Sequence, residues 1–191
     1  MKPIEFKEIW MKDNSEQWMH FPIEQIENSN LGYLTKQFLK VGFPKSAAPF
    51  LGFGPIVRHG KFNNIKDYFS EYELEEKTKN YWMFGSDGSG NLICIDSSSD
   101  DKLVLLDHEQ GFELIENINK NISELASFIL LFKNFIKKIN TEFGKDGFFN
   151  SRFTKKHLTE LEYNFKELNH NYHIESSFWN TEVENLRVEI E

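Results

Sequence analysis

Residues 81–96 read Tyr81-Trp82-Met83-Phe84-Gly85-Ser86-Asp87-Gly88-Ser89-Gly90-Asn91-Leu92-Ile93-Cys94-Ile95-Asp96. An aromatic run leads into a Gly/Asp/Ser turn signal, and a second apolar run leads out of it. Leu103-Val104-Leu105-Leu106 follows after a turn at Ser97 to Asp101, and Phe112 to Ile115 is a fourth run after Asp107-His108-Glu109-Gln110-Gly111. Apolar runs at roughly ten-residue spacing, joined by such turns, predict an antiparallel meander. Their near-continuous apolarity predicts burial on both sheet faces over part of their length.

Outward from this centre the pattern changes to helical spacing. Upstream, Pro22 suits the first position of a helix carrying Ile23 and Ile26. Tyr33 to Val41 aligns Leu34, Phe38 and Val41, with Gly42 placed as the cap. Phe50-Leu51-Gly52-Phe53-Gly54-Pro55 reads as a strand or edge segment. Residues 62–80 are charged and aromatic and carry no clear period. Downstream, Ser123 is an N-cap candidate for a helix striped by Leu125, Phe128, Ile129, Phe132, Phe135, Ile136 and Ile139. Gly144 and Gly147 end it. Two more helices carry Leu158, Leu161, Phe165 and Leu168, then Trp179, Val183 and Leu186. The expected fold class is α+β: an antiparallel sheet of about five to six strands with helices before and after it, packed by helices at 123–142, 154–170 and 180–188. Residues 1–191 are read as a single domain, of which 141–191 is a helical C-terminal extension.

The 191 residues carry a net charge of −8, with 30 acidic and 22 basic side chains. That balance argues against general binding to nucleic-acid phosphates or anionic lipid. One cysteine excludes an internal disulfide and a multi-cysteine zinc site. Neither a basic-plus-apolar leader nor a bilayer-length apolar run is visible, so a soluble cytoplasmic protein is expected. There are 19 Phe and only three alanines (Ala47, Ala48, Ala126), so the core is expected to be built from large rings. Charge is segregated: residues 71–116 are net −9 and residues 117–157 net +5.

The constellations with a chemical reading are weak. The glycines at 85, 88 and 90 lack the following helix and lysine of a phosphate cradle and read as a hairpin turn. Asp96-Ser97-Ser98-Ser99-Asp100-Asp101 lacks the alternating ligands and closing Glu of a calcium loop. Asp107-His108-Glu109 would point to alternate faces of a strand and so would not converge as a hydrolytic set. The six histidines (20, 59, 108, 157, 170, 173) form no metal motif. Cys94 lies inside an apolar run, where cysteine behaves as a small hydrophobe. No nucleophile signature is present, and no catalytic residue, metal or cofactor is expected. The acidic middle remains, either as a solvated surface or as a face complementary to a basic partner.

The string from Tyr81 to Asp96 resembles the SUKH superfamily, the domain shared with yeast cell-wall-assembly regulators. In that family an apolar-aromatic strand ends in a Gly-Ser-Asp-Gly-type turn, and a strand ending in Asp follows. Leu103 to Glu109 matches the family's next strand, Ile122 to Phe132 its Phe-rich helix, and Phe21-Pro22 with Leu34 to Leu39 its opening helices. Gly42-Phe43-Pro44 departs from the common Asn-Gly-Gly continuation and is closer to a branch with a Gly-Leu-Pro-like step; Ser177-Phe178-Trp179 also looks like that branch. The resemblance is best over residues 20–140.

The resemblance implies a bacterial immunity protein: a cytoplasmic, non-catalytic protein that binds and neutralises a cognate toxin, many such toxins being nucleases. It gives Gly85, Asp87, Gly88 and Gly90 a structural role in the turn. It transfers no binding surface. From charge alone, Asp96, Asp100, Asp101, Asp107, Glu109 and Glu113 are the candidate contacts for a basic toxin, as exposed turn and strand-end residues. A monomer is expected, with no nucleic acid or membrane as partner. The alternatives are a regulatory scaffold that binds a cellular protein and, third, a hydrolase using Asp107, His108 and Glu109.

Overall fold

The computed structural model describes residues 1–12, 17–54 and 61–190. Pro55 and His59 of the sequence reading lie outside them. The chain is α+β. The sheet strands are β3 (Ser46–Ala47), β4 (Leu51–Phe53), β5 (Tyr81–Ser86), β6 (Leu92–Asp96), β7 (Lys102–Asp107) and β8 (Glu113–Asn119). All pair antiparallel in sequence order, as a six-stranded meander. A separate two-stranded pair joins β1 (Trp18–Met19) to β2 (Phe43–Pro44).

Strand alternation divides the sheet residues between two apolar layers. Trp82, Phe84, Ile93, Ile95, Leu103, Leu105 and Ile118 face the helices, while Tyr81, Met83, Leu92, Cys94, Val104 and Leu106 face the other way. The second face is covered by the segment that lacked a clear period. It contains α4 (Ile65–Tyr68) and a 3-10 turn (Glu76–Asn80), and Ile65, Tyr68, Phe69 and Leu74 lie over the strands. This cover is why all five residues of β6 are buried.

The first face carries α5 (Ile122–Phe143), α6 (Lys155–Leu168), α7 (Tyr172–Glu175) and α8 (Ser177–Val188). Asn121, not Ser123, is the N-cap of α5: its side chain accepts from the Glu124 N–H at 2.9 Å. The expected stripe is buried from Leu125 to Ile139 except for a half-buried Ile136. Phe128 stacks on Phe165 at 4.5 Å, and Trp179 lies 5.6 Å from Phe128 and 5.5 Å from Phe165. The C-terminal helices thus share the core of the sheet.

A buried carboxylate ties them in place. Glu124 accepts from the Asn119 amide, the Lys120 backbone N–H, the Asn169 amide and the Ser176 hydroxyl, while Trp179 donates to Asn119. Every oxygen of this carboxylate is therefore satisfied, as burial requires.

Before the sheet lie α2 (Ile23–Asn28) and α3 (Tyr33–Val41), and Pro22 is the cap of α2 rather than its first residue. A helix absent from the sequence reading, α1 (Pro3–Met11), precedes both. It buries Phe6 against Trp18, Phe38 and Phe43, with centroids 5.0–6.4 Å away. Only Phe6 and Trp10 are buried along its length, too few to mark a period.

Candidate functional site

Three turns meet at one end of the sheet. In the β3–β4 turn, Phe50 is 85% exposed and has φ +52°. A bulky residue in the left-handed region is strained, and here the ring gains no burial in return. Its Cβ and ring root stand over Gly88 of the next turn, where a side chain would come within 3.2 Å. Asp87 organises that turn by accepting from the N–H groups of Ser89 and Asn91, both at 2.8 Å. Gly90 has φ +91° and lies against His108 of the β7–β8 turn. Asp87, Gly88 and Gly90 thus shape the turn. Gly85 differs: it sits in β5 at a register shift, and a Cβ would lie 2.0 Å from the Gly52 carbonyl oxygen.

The β7–β8 turn does not assemble a hydrolytic set. Asp107 accepts from the N–H groups of Glu109 and Gln110, His108 bonds Asn91 at 3.1 Å, and Glu109 is exposed. Asp107 and His108 are thus committed to partners other than each other.

The cover segment continues this surface. Phe112, at the end of the same turn, lies 5.4 Å from Phe69, and Phe69 lies 6.3 Å from Tyr72. Tyr72 is 69% exposed between the exposed Glu71 and Glu73. Glu75 pairs with Lys77 at 2.8 Å, and Glu76 pairs with Lys66 and Lys79. Among the described residues, Glu71, Glu73, Glu109 and Glu113 have no ion pair. The Lys77 ammonium is held charged first by Glu75 and, more weakly, by Glu113, which places the start of β8 within the field of the cover segment.

The six carboxylates singled out from the sequence do not form one surface. Asp96, Asp100 and Asp101 lie at one end of β7, and Asp107, Glu109 and Glu113 at the other, roughly 17 Å away by the rise of an extended strand. Two of them are buried. Asp96 is buried and accepts from Ser98 N–H at 2.9 Å and Ser98 Oγ at 2.6 Å. Asp101 is buried and accepts from Gly32 N–H at 2.7 Å. Both turn inward because a carboxylate is the acceptor that orphan turn N–H groups require. Asp100 is exposed but stands apart, while Glu109 and Glu113 belong to the acidic rim. Asp107 is half-buried and committed to its turn.

Phe50, Glu71, Tyr72 and Glu73 are not among the candidates that the sequence singles out. Phe50 reads as part of an apolar strand, and the cover segment has no period from which exposure could be inferred. Burial pushes the Cys94 thiol well up, so it is inert. Among the described residues no group of three or more His, Cys, Asp or Glu could hold a metal ion, and no helix is long and apolar enough to cross a membrane. Compared with protein-family models, curated proteins and solved structures, the chain matches none.

Proposed function

We propose that this chain is a SUKH-type immunity protein that neutralises a basic toxin by stoichiometric binding through the rim and cover just described. One observation carries the reading: among the described residues the exposed carboxylates Glu71, Glu73, Glu109 and Glu113 have no ion pair, Tyr72 stands exposed between the first two, and Phe50 stands exposed on another turn at the same end of the sheet. Aromatic side chains held on rigid turns are efficient anchors in protein interfaces. The surrounding negative field speeds encounter with a cationic partner and rejects anionic ones. A nuclease presents such a cationic surface, because its substrate is a polyanion, and carboxylates can occupy the positions that phosphates would take.

The test is co-purification with the toxin domain encoded beside the gene, followed by stopped-flow association. The expected result is an inactive one-to-one complex. Glu71→Lys, Glu109→Lys and Glu113→Lys together should slow association roughly tenfold or more at low salt. An unchanged rate, or capture of a housekeeping protein with no toxin bound, overturns the reading; the second result points to a regulatory scaffold.

A further inference from the structure

The charge of the opposite sign is gathered at the α5–α6 connection. Lys145, Arg152, Lys155 and Lys156 are all exposed and none has an ion pair among the described residues; Asp146 is the one carboxylate beside them in the loop. Of the nearby carboxylates, Glu160 is engaged by Lys138 at 2.5 Å and Glu142 by His157 at 3.0 Å, while Glu189 accepts from Ser151 Oγ at 2.6 Å. Lys155 and Lys156 open α6, whose first turn holds no acid. Cations there oppose the helix dipole. The positive end is therefore concentrated against the interest of the helix.

The loop is built rather than slack. Arg152 N–H donates to the Gly147 carbonyl at 2.9 Å, Phe148 N–H to Asn140 at 2.9 Å, and Phe148 and Phe153 pack on Phe135. From this frame Phe149 projects with 88% of its surface exposed. Beside it an open hollow of about 360 Å³ is lined by Phe143, Lys145 and Arg152, among others.

We infer that this basic, Phe149-tipped loop docks on the acidic rim of a second copy of the chain. The complement it needs is present on the molecule itself: a ring flanked by unpaired cations at the loop, and Tyr72 flanked by unpaired carboxylates at the cover, with Glu109 and Glu113 at the rim. The two patches share no residue and form no ion pair with each other within the chain. A contact between unlike surfaces is heterologous, so it adds copies head to tail. It also covers the face assigned above to the toxin, so the partner and the second copy compete. The sequence expectation of a monomer is then met only in dilute or salty solution.

Sedimentation equilibrium of the purified chain tests this. In about 20 mM salt the average mass should climb above 22.6 kDa with concentration, and it should return to that value near 300 mM, where screening is strong. Lys145→Glu with Arg152→Glu should abolish the growth, as should Glu109→Lys with Glu113→Lys. Mixing the two variants should restore it, because each then offers the sign the other lacks. Phe149→Ser, at a position with almost no packing to lose, should weaken it without unfolding the chain. A monomer at every low-salt concentration, or growth indifferent to the loop substitutions, overturns the inference. Neither result touches the toxin reading, which rests on the rim and cover alone.

Discussion

The backbone N–H of Gly32 donates to the Asp101 carboxylate at 2.7 Å, across 69 residues of sequence. A turn carboxylate between β6 and β7 thereby anchors the start of α3. A hydrogen bond to a charged, buried acceptor contributes about 2 kcal/mol. Asp101→Asn, which tolerates the φ of +59° there and keeps an amide oxygen as a neutral acceptor, should lower stability by about 1 kcal/mol in urea unfolding. Asp100→Asn next door should change it by less than about 0.5 kcal/mol. Equal midpoints for the two variants would contradict the anchoring role.

Glu124 gathers donors from β8, the β8–α5 connection, the α6–α7 connection and the residue that caps α8. Glu124→Ala leaves those donors buried without an acceptor and should cost about 3 kcal/mol. Trp179, which donates to Asn119 of the same network, should show the loss as a shift in fluorescence. A variant as stable as the parent would mean that water replaces the carboxylate.

Phe50 combines positive φ with an exposed ring, so its cost and its use separate cleanly. Phe50→Gly relieves the backbone and should stabilise the fold by about 0.5 kcal/mol, glycine's greater unfolded entropy offsetting part of the relief. If the proposed toxin binding holds, the same change should weaken it roughly tenfold, the scale of an aromatic anchor. Unfolding and titration calorimetry on one preparation would read both.

Glu182 lies partly buried near Glu116 of the edge strand β8. Loss of water first, and the Glu116 charge second, push its carboxyl up to about 7 from an ordinary 4.5. Its folded value exceeds its unfolded value, so the unfolded chain ionises first. The group contributes nothing below 4.5, works increasingly against the fold up to about 7, and does so fully above. Glu182→Gln should therefore raise stability near pH 8 by about 1 kcal/mol, allowing for solvent screening, and leave it unchanged near pH 4. The same gain at both pH values would show that charge is not the cause.

Much of the fold is legible because its signals are local. The runs from Tyr81 to Leu106 appear as β5, β6 and β7, and the Leu125-to-Ile139 stripe appears as α5, since alternation and helical spacing reach only a few residues along the chain. Of the candidate carboxylates, Glu109 and Glu113 are exposed, as their place at a turn and a strand end suggests. Asp96 and Asp101 are not, because what decides their exposure is which distant or turn N–H group arrives to meet them.

The residue pattern by itself determined the α+β class, the antiparallel meander, the ring-filled core and the segregation of charge. Tertiary structure alone decided that residues 64–80 cover the second face of the sheet, that β7 separates two groups of carboxylates, and that Phe50 and Tyr72 stand exposed. Secondary structure follows from periodicity within a segment, whereas a surface is made by segments far apart in sequence, and their meeting is set by packing and hydrogen-bond demand that no single segment records.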